Sequence, residues 1–188
     1  MKFRFMFFLI FLSLSAAAES GEELLNSIVG TMNSFDSFRA NISIDGLAGS
    51  ISYKRPGSLN VKFSDGRVLS GNGRHLWIYS PARGIAGKQD LKGLTGGLGG
   101  LLSGYESVSS SGKVLKLKSD NKYYEEIIVS VTPNNIIKSL KLRAKGRSDF
   151  MDITFSGVQT NIGLSSSIFN FHPPANAQIV ENPLNQRE

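Results

Sequence analysis

The chain has 188 residues, no cysteine and a formal charge of +6. That length fits one domain better than two. Without cysteine there can be no disulfide, no thiolate metal site, no thiol nucleophile and no lipid attached through an N-terminal cysteine.

Residues 1–18 read as an export signal. Lys2 and Arg4 precede an apolar run from Phe5 to Leu14, and Ala16, Ala17 and Ala18 supply the small residues of a cleavage site. The run, about ten residues long, is short for a membrane span. The expectation is cleavage after Ala18, one soluble exported domain over residues 19–182, and a loose polar tail over 183–188. The competing reading is an uncleaved anchor. Losing Lys2 and Arg4 lowers the charge to +4. The remaining basic residues are scattered. Lys138, Lys141, Arg143, Lys145 and Arg147 alternate with apolar residues as a solvated strand face does. Nucleic acid is therefore not an expected partner, and an anionic surface is the alternative use of that face.

Residues 20–35 carry the first element. Ser20 and Glu23 form a capping box, and Leu24, Leu25, Ile28, Met32 and Phe35 recur at helical spacing. From Phe38 the period becomes two. Phe38, Ala40, Ile42 and Ile44 alternate with polar residues up to the Asp45-Gly46 turn. Ile51 and Tyr53 follow, then Leu59, Val61 and Phe63 after Pro56-Gly57. Short strands at 67–70 and 75–79 come next. The pattern lapses over 81–112 and resumes at 113–118, 123–132, 136–145 and 149–158, with a last strand at 168–171. About ten antiparallel strands with one apolar face imply an α+β chain: a strongly curved sheet, or incomplete β-barrel, with an N-terminal helix. The inner face is expected to offer Phe38, Ile42, Ile44, Ile51, Tyr53, Leu59, Val61, Phe63 and Trp77 to a hydrophobic ligand. Packing of Trp77 within the sheet is the other reading of that residue.

Within the lapse, Leu91, Leu94, Leu98, Leu101, Leu102 and Tyr105 form a helical stripe interrupted by six glycines. Each glycine costs about 1 kcal/mol against alanine in a helix. Each buried leucine returns about 1.5–3 kcal/mol before ordering costs. The terms are comparable, so the segment is expected to fold only when docked, as a helical lid. A solvated glycine-rich loop is the alternative.

Catalytic chemistry is not indicated. His75 and His172 are the only histidines, too few for a metal site without cysteine. No nucleophile elbow or phosphate-binding loop occurs. Asp149 and Asp152 fall on opposite sides of a strand. Neither an enzyme, a metal nor a cofactor is expected.

Four segments in order then resemble the periplasmic outer-membrane lipoprotein carriers, the LolA family. They are Phe38-Arg39-Ala40 after a helix, Tyr53-Lys54-Arg55-Pro56-Gly57, Gly71-Asn72-Gly73 leading into Leu76-Trp77-Ile78-Tyr79-Ser80-Pro81, and Phe169-Asn170-Phe171-His172-Pro173-Pro174 followed by Ile179-Val180. The resemblance implies an incomplete barrel with a helical lid over an apolar cavity. It implies a monomeric carrier that takes acylated lipoproteins from an inner-membrane ABC transporter and gives them to an outer-membrane receptor. It also implies that Arg55 latches the lid by donating to backbone carbonyls. Ile42-Ser43-Ile44, Leu59 and Val61 depart from the family pattern. A binder of free lipid, or an envelope sensor on the same scaffold, would use the same surface.

Overall fold

The computed structural model describes residues 19–91 and 97–185. The export-signal reading of 1–18 and the Leu94 part of the lid lie outside the described residues.

The first element is α1, Gly21–Asn33. Ser20 caps it: Glu23 N–H donates to Ser20 Oγ at 3.2 Å, and Ser20 N–H donates to the Glu23 carboxylate at 2.9 Å. The bonds from Ser20, backbone first, hold the Glu23 carboxyl below its ordinary range. Leu24 and Ile28 are fully buried, one turn apart. The helix ends two residues before Phe35, which is itself buried in the turn into the sheet.

Twelve strands follow in one open sheet. They are β1 (Ser37–Ile44), β2 (Leu47–Lys54), β3 (Ser58–Phe63), β4 (Val68–Asn72), β5 (His75–Ser80), β6 (Ile85–Asp90), β7 (Ser107–Ser111), β8 (Val114–Lys118), β9 (Tyr124–Val131), β10 (Ile137–Ala144), β11 (Met151–Thr160) and β12 (Gln178–Glu181), with helix α2 (Gly97–Leu102) between β6 and β7. The spatial order is β12-β6-β5-β4-β3-β2-β1-β11-β10-β9-β8-β7. Two antiparallel meanders therefore meet where β1 pairs with β11. The β1–β2 hairpin turns at Asp45 (φ 49°) and Gly46 (φ 84°), the positive-φ pair of a type I′ turn.

The sheet is mainly β, curved and not closed. It has two strands more than the sequence pattern suggested. β6 and β7 lie in the stretch where alternation lapsed. Residues 168–171 are not a strand. Ser166–Phe169 form a 3-10 turn, and the edge strand comes later, as β12 parallel to β6. Pro183–Asn185 form a further 3-10 turn. Leu184 N–H donates to Gln89 Oε1 at 3.0 Å.

Candidate functional site

Residues paired across antiparallel strands point to the same side of a sheet, so the register sorts every side chain. One row runs Phe38, Tyr53, Leu59, Gly71, Leu76, Gln89 across β1 to β6. The next runs Ala40, Ile51, Val61, Leu69, Ile78, Gly87. Ile42 and Phe63 extend this face, and Ile42 and Ile44 stand opposite Phe155 and Ile153. It continues through Leu140, Val129 and Leu115. These rows of the inner face hold no charged side chain.

The inner face has two unequal halves. Over β7–β11 the helices fill it. Leu24 and Ile28 of α1 and Leu102 of α2 pack with Leu115, Leu117, Ile127, Val129, Leu140 and Leu142 in one buried cluster, with Leu101 and Tyr105 at its margin. That cluster contains no residue of β1–β6. There, Ile51, Tyr53, Leu59, Phe63, Leu69, Leu76 and Ile78 remain half-buried, while Val61, Ala40 and Ile42 are buried. Phe38 and Tyr53 stack at 5.5 Å between ring centroids. The β1–β6 half is an apolar surface, with the Arg67 guanidinium over the Phe63 ring at its edge, left partly open beside a filled one.

Eight of the nine residues read as ligand-facing share this face. Trp77 does not. Its row is Arg39, Ser52, Asn60, Ser70, Trp77, Lys88, on the opposite side of the sheet. β5 is apolar on both sides because the chain recrosses the outer face after β11. Ser37 Oγ donates to Ile162 C=O at 2.7 Å, Lys54 Nζ to Leu164 C=O at 3.1 Å, and Ser70 Oγ to Phe169 C=O at 3.2 Å. Leu164 and Phe169 of this strap are buried, and Phe171 sits against Trp77 and Tyr79. Trp77 therefore packs in the wall and leaves the candidate set.

Arg55 makes a bond of the kind the family resemblance implies, but to another helix. Its Nη2 donates to the Asn33 carbonyl, at the C-terminal end of α1. That end has no basic residue in its last turn, so its carbonyls lack a cation of their own helix. Among the described residues, Arg55 tethers α1 to the β2–β3 turn; residues 92–96 of the lid segment lie outside them. Leu91 closes β6, its N–H donating to Arg74 C=O at 2.9 Å. Leu102 is fully buried and Leu101 partly so. The side chains of Leu94 and Leu98 lie outside the described part.

Outside this face the polar groups are structural. Glu126 is 5% exposed on the outer face, between Lys116 at 2.7 Å and Arg143 at 2.5 Å. Burial raises its proton affinity, but hydrogen bonds and charge from Lys116 and Arg143 outweigh that, and its carboxyl lies below the ordinary glutamate range. Asp152 pairs with Lys141 and Asp149 with Arg147. Among the described residues no group of three His, Cys, Asp or Glu could hold a metal, and no helix is long and apolar enough to cross a membrane.

An open curved sheet with helices packed on one half of an apolar inner face defines a LolA-like fold. No family model matches the chain. The outer-membrane lipoprotein carrier protein of Nitrosospira multiformis is 23% identical, over 94% of this chain and 95% of its own length. A conserved protein from Thermus thermophilus superposes with a TM-score of 0.58 at 11% identity, over 85% of this chain and 98% of that one. MucB superposes at 0.50 with 14% identity, over 85% of this chain and 65% of its own. A LolA superfamily protein from Nitrosomonas europaea gives 0.44 at 16% identity, over 82% and 99%. At 23% identity the chain is similar to an outer-membrane lipoprotein carrier protein over nearly its whole length.

Proposed function

We propose that this protein is a periplasmic, non-enzymatic carrier that shelters the acyl chains of lipoproteins on the inner face of β1–β6. The observation that carries the reading is the apolar and half-open state of that face beside a half already filled by α1 and α2. A half-exposed apolar surface gains free energy on covering, and an acyl chain gains about 0.8 kcal/mol for each methylene it buries. Several chains buried in full would bind too tightly to be released. Partial burial on an open sheet leaves hand-over feasible.

The segment from Leu91 to Tyr105 acts as the lid in this reading. Its first residue leaves β6 at the open half, and its last turn is anchored by Leu102 in the filled half. A glycine-rich helix held by few leucines exchanges readily for ligand. An inner-membrane transporter would load the carrier and an outer-membrane receptor would unload it.

Purification from periplasm without detergent, followed by intact mass measurement, tests the proposal. Triacylated lipoprotein bound one to one is the expected result. Free fatty acid or phospholipid alone would make the protein a lipid binder instead. Only unliganded protein, with no uptake of added lipoprotein, would remove the reading.

A further inference from the structure

The outer side of the sheet carries a cleft that the apolar face does not use. Ser37 on β1 and Lys54 on β2 are cross-strand partners, one step along from Phe38 and Tyr53. They therefore point away from the inner face. Between these strands and the start of the strap lies an open cleft of about 560 Å³. Its walls include Asp36, Ser37, Lys54, Asn161, Gly163 and Leu164.

Hydrogen bonds fix those walls. Asp36 N–H donates to Asn161 Oδ1 at 2.9 Å, and Asn161 N–H donates to Ser37 C=O at 2.7 Å. Ser37 Oγ and Lys54 Nζ hold the strap through the carbonyls of Ile162 and Leu164. Asn161 has φ 54°, a left-handed conformation that Asn tolerates, and there the chain leaves β11 for the strap. A Cβ on Gly163 would meet nothing within 4 Å, so the strap side of the cleft is open at that residue.

These bonds are structural, but they leave two charges unused. An ammonium has three N–H donors, and among the described residues Lys54 spends one, on a neutral carbonyl. The Asp36 carboxylate accepts no hydrogen bond from the described residues. Neither group belongs to an ion pair there, so two opposite charges line one cleft without pairing with each other. Lys54 is half-buried and Asp36 exposed. A half-buried cation bonded only to a carbonyl gains from an oxyanion, whose bond to it is charge-assisted. The carboxylate on the same cleft suits an ammonium.

We propose that this cleft binds a compact zwitterion, an oxyanion joined by a short chain to an ammonium, with the anion on Lys54 and the ammonium on Asp36. Phosphoethanolamine has this chemistry, either free or as a lipid headgroup. The site lies on the opposite side of the sheet from the proposed acyl surface and does not depend on it.

An NMR titration of the full mature protein tests the proposal through the backbone amides of 161–165. O-Phosphoethanolamine is expected to shift them with an affinity about tenfold tighter than inorganic phosphate or ethanolamine, since each of those meets only one of the two charges. Asp36→Asn keeps the shape at an exposed position and is expected to bring phosphoethanolamine down to the affinity of phosphate. Lys54→Met is expected to abolish the response to both. Lys54→Arg keeps the cation and is expected to retain binding, which separates lost charge from a disturbed strap. Phosphatidylethanolamine vesicles that perturb the same amides would support the site as a headgroup site, and a response to the soluble probe alone would support it as a site for a free zwitterion. Amides of 161–165 unmoved by phosphoethanolamine, or an affinity equal to that of phosphate and unaltered in Asp36→Asn, would overturn the proposal and leave the carrier reading standing.

Discussion

Gly21 shows how a single hydrogen atom can decide a helix position. In an isolated helix, alanine in place of glycine gains up to about 1 kcal/mol. Here a Cβ on Gly21 would lie 2.8 Å from Ser109 Cα and 2.8 Å from the Val108 carbonyl oxygen of β7. Gly21→Ala is therefore expected to reverse the helix-propensity sign and destabilise by about 1–3 kcal/mol, read from the urea midpoint. Gly30, where an added Cβ meets nothing within 4 Å, is the matched control, and Gly30→Ala is expected to stabilise. Glu126 sets the acid limit of the outer face. Its folded carboxyl titrates below the ordinary range, so its contribution is complete at neutral pH and is lost as pH falls below about 4.3. Glu126→Gln is expected to lower stability by about 1–2 kcal/mol at pH 7, a figure reduced because Lys116 is 43% exposed, and to flatten the acid limb of a stability–pH profile.

Elements explain which parts of the fold could be read from sequence. α1 was legible because capping box and apolar spacing agree, and β1 to β3 because apolar and polar residues alternate. β6 was not. Its inward residues are Ile85, Gly87 and Gln89, since the Pro183–Asn185 turn packs there and takes the place of large side chains. β7 was hidden for a related reason: it is a serine-rich edge with α1 close against its backbone, and Ser110 Oγ donates to Glu19 C=O at 2.7 Å. Of the site, the inner residues followed from alternation, but the side taken by Trp77 did not, because Leu76, Trp77, Ile78 and Tyr79 are apolar throughout. Register alone decides it, and register is a long-range fact. Two expectations belong to this scale. Leu102→Ala removes the buried anchor of the six-residue α2 and is expected to cost about 2–4 kcal/mol, with faster amide exchange over 97–105. Arg55→Leu removes the cation at the end of α1 and is expected to speed exchange over 30–34; unchanged exchange there would mean the tether contributes nothing.

At the scale of the whole molecule the two meanders have divided tasks. The β7–β11 half holds the hydrophobic cluster and the helices, and the β1–β6 half holds the open surface. A protein that keeps a greasy face partly bare must draw its stability from elsewhere, and here that source is the other half together with the strap of 162–171 behind the open one. Phe169→Ala, within the strap and 4% exposed, is expected to destabilise by about 3–5 kcal/mol although it lies on the side of the sheet away from the half-open apolar face.

The parallel pairing of β12 with β6 has a consequence for biogenesis. Residues 85–88 are zipped to 178–181 only after everything between them has been made. Until the final stretch has been synthesised, β6 is a raw edge whose backbone amides and carbonyls are available to any passing strand. A chain stopped at Asn176 is expected to self-associate in proportion to its concentration, as light scattering would register, while the full-length protein stays dispersed.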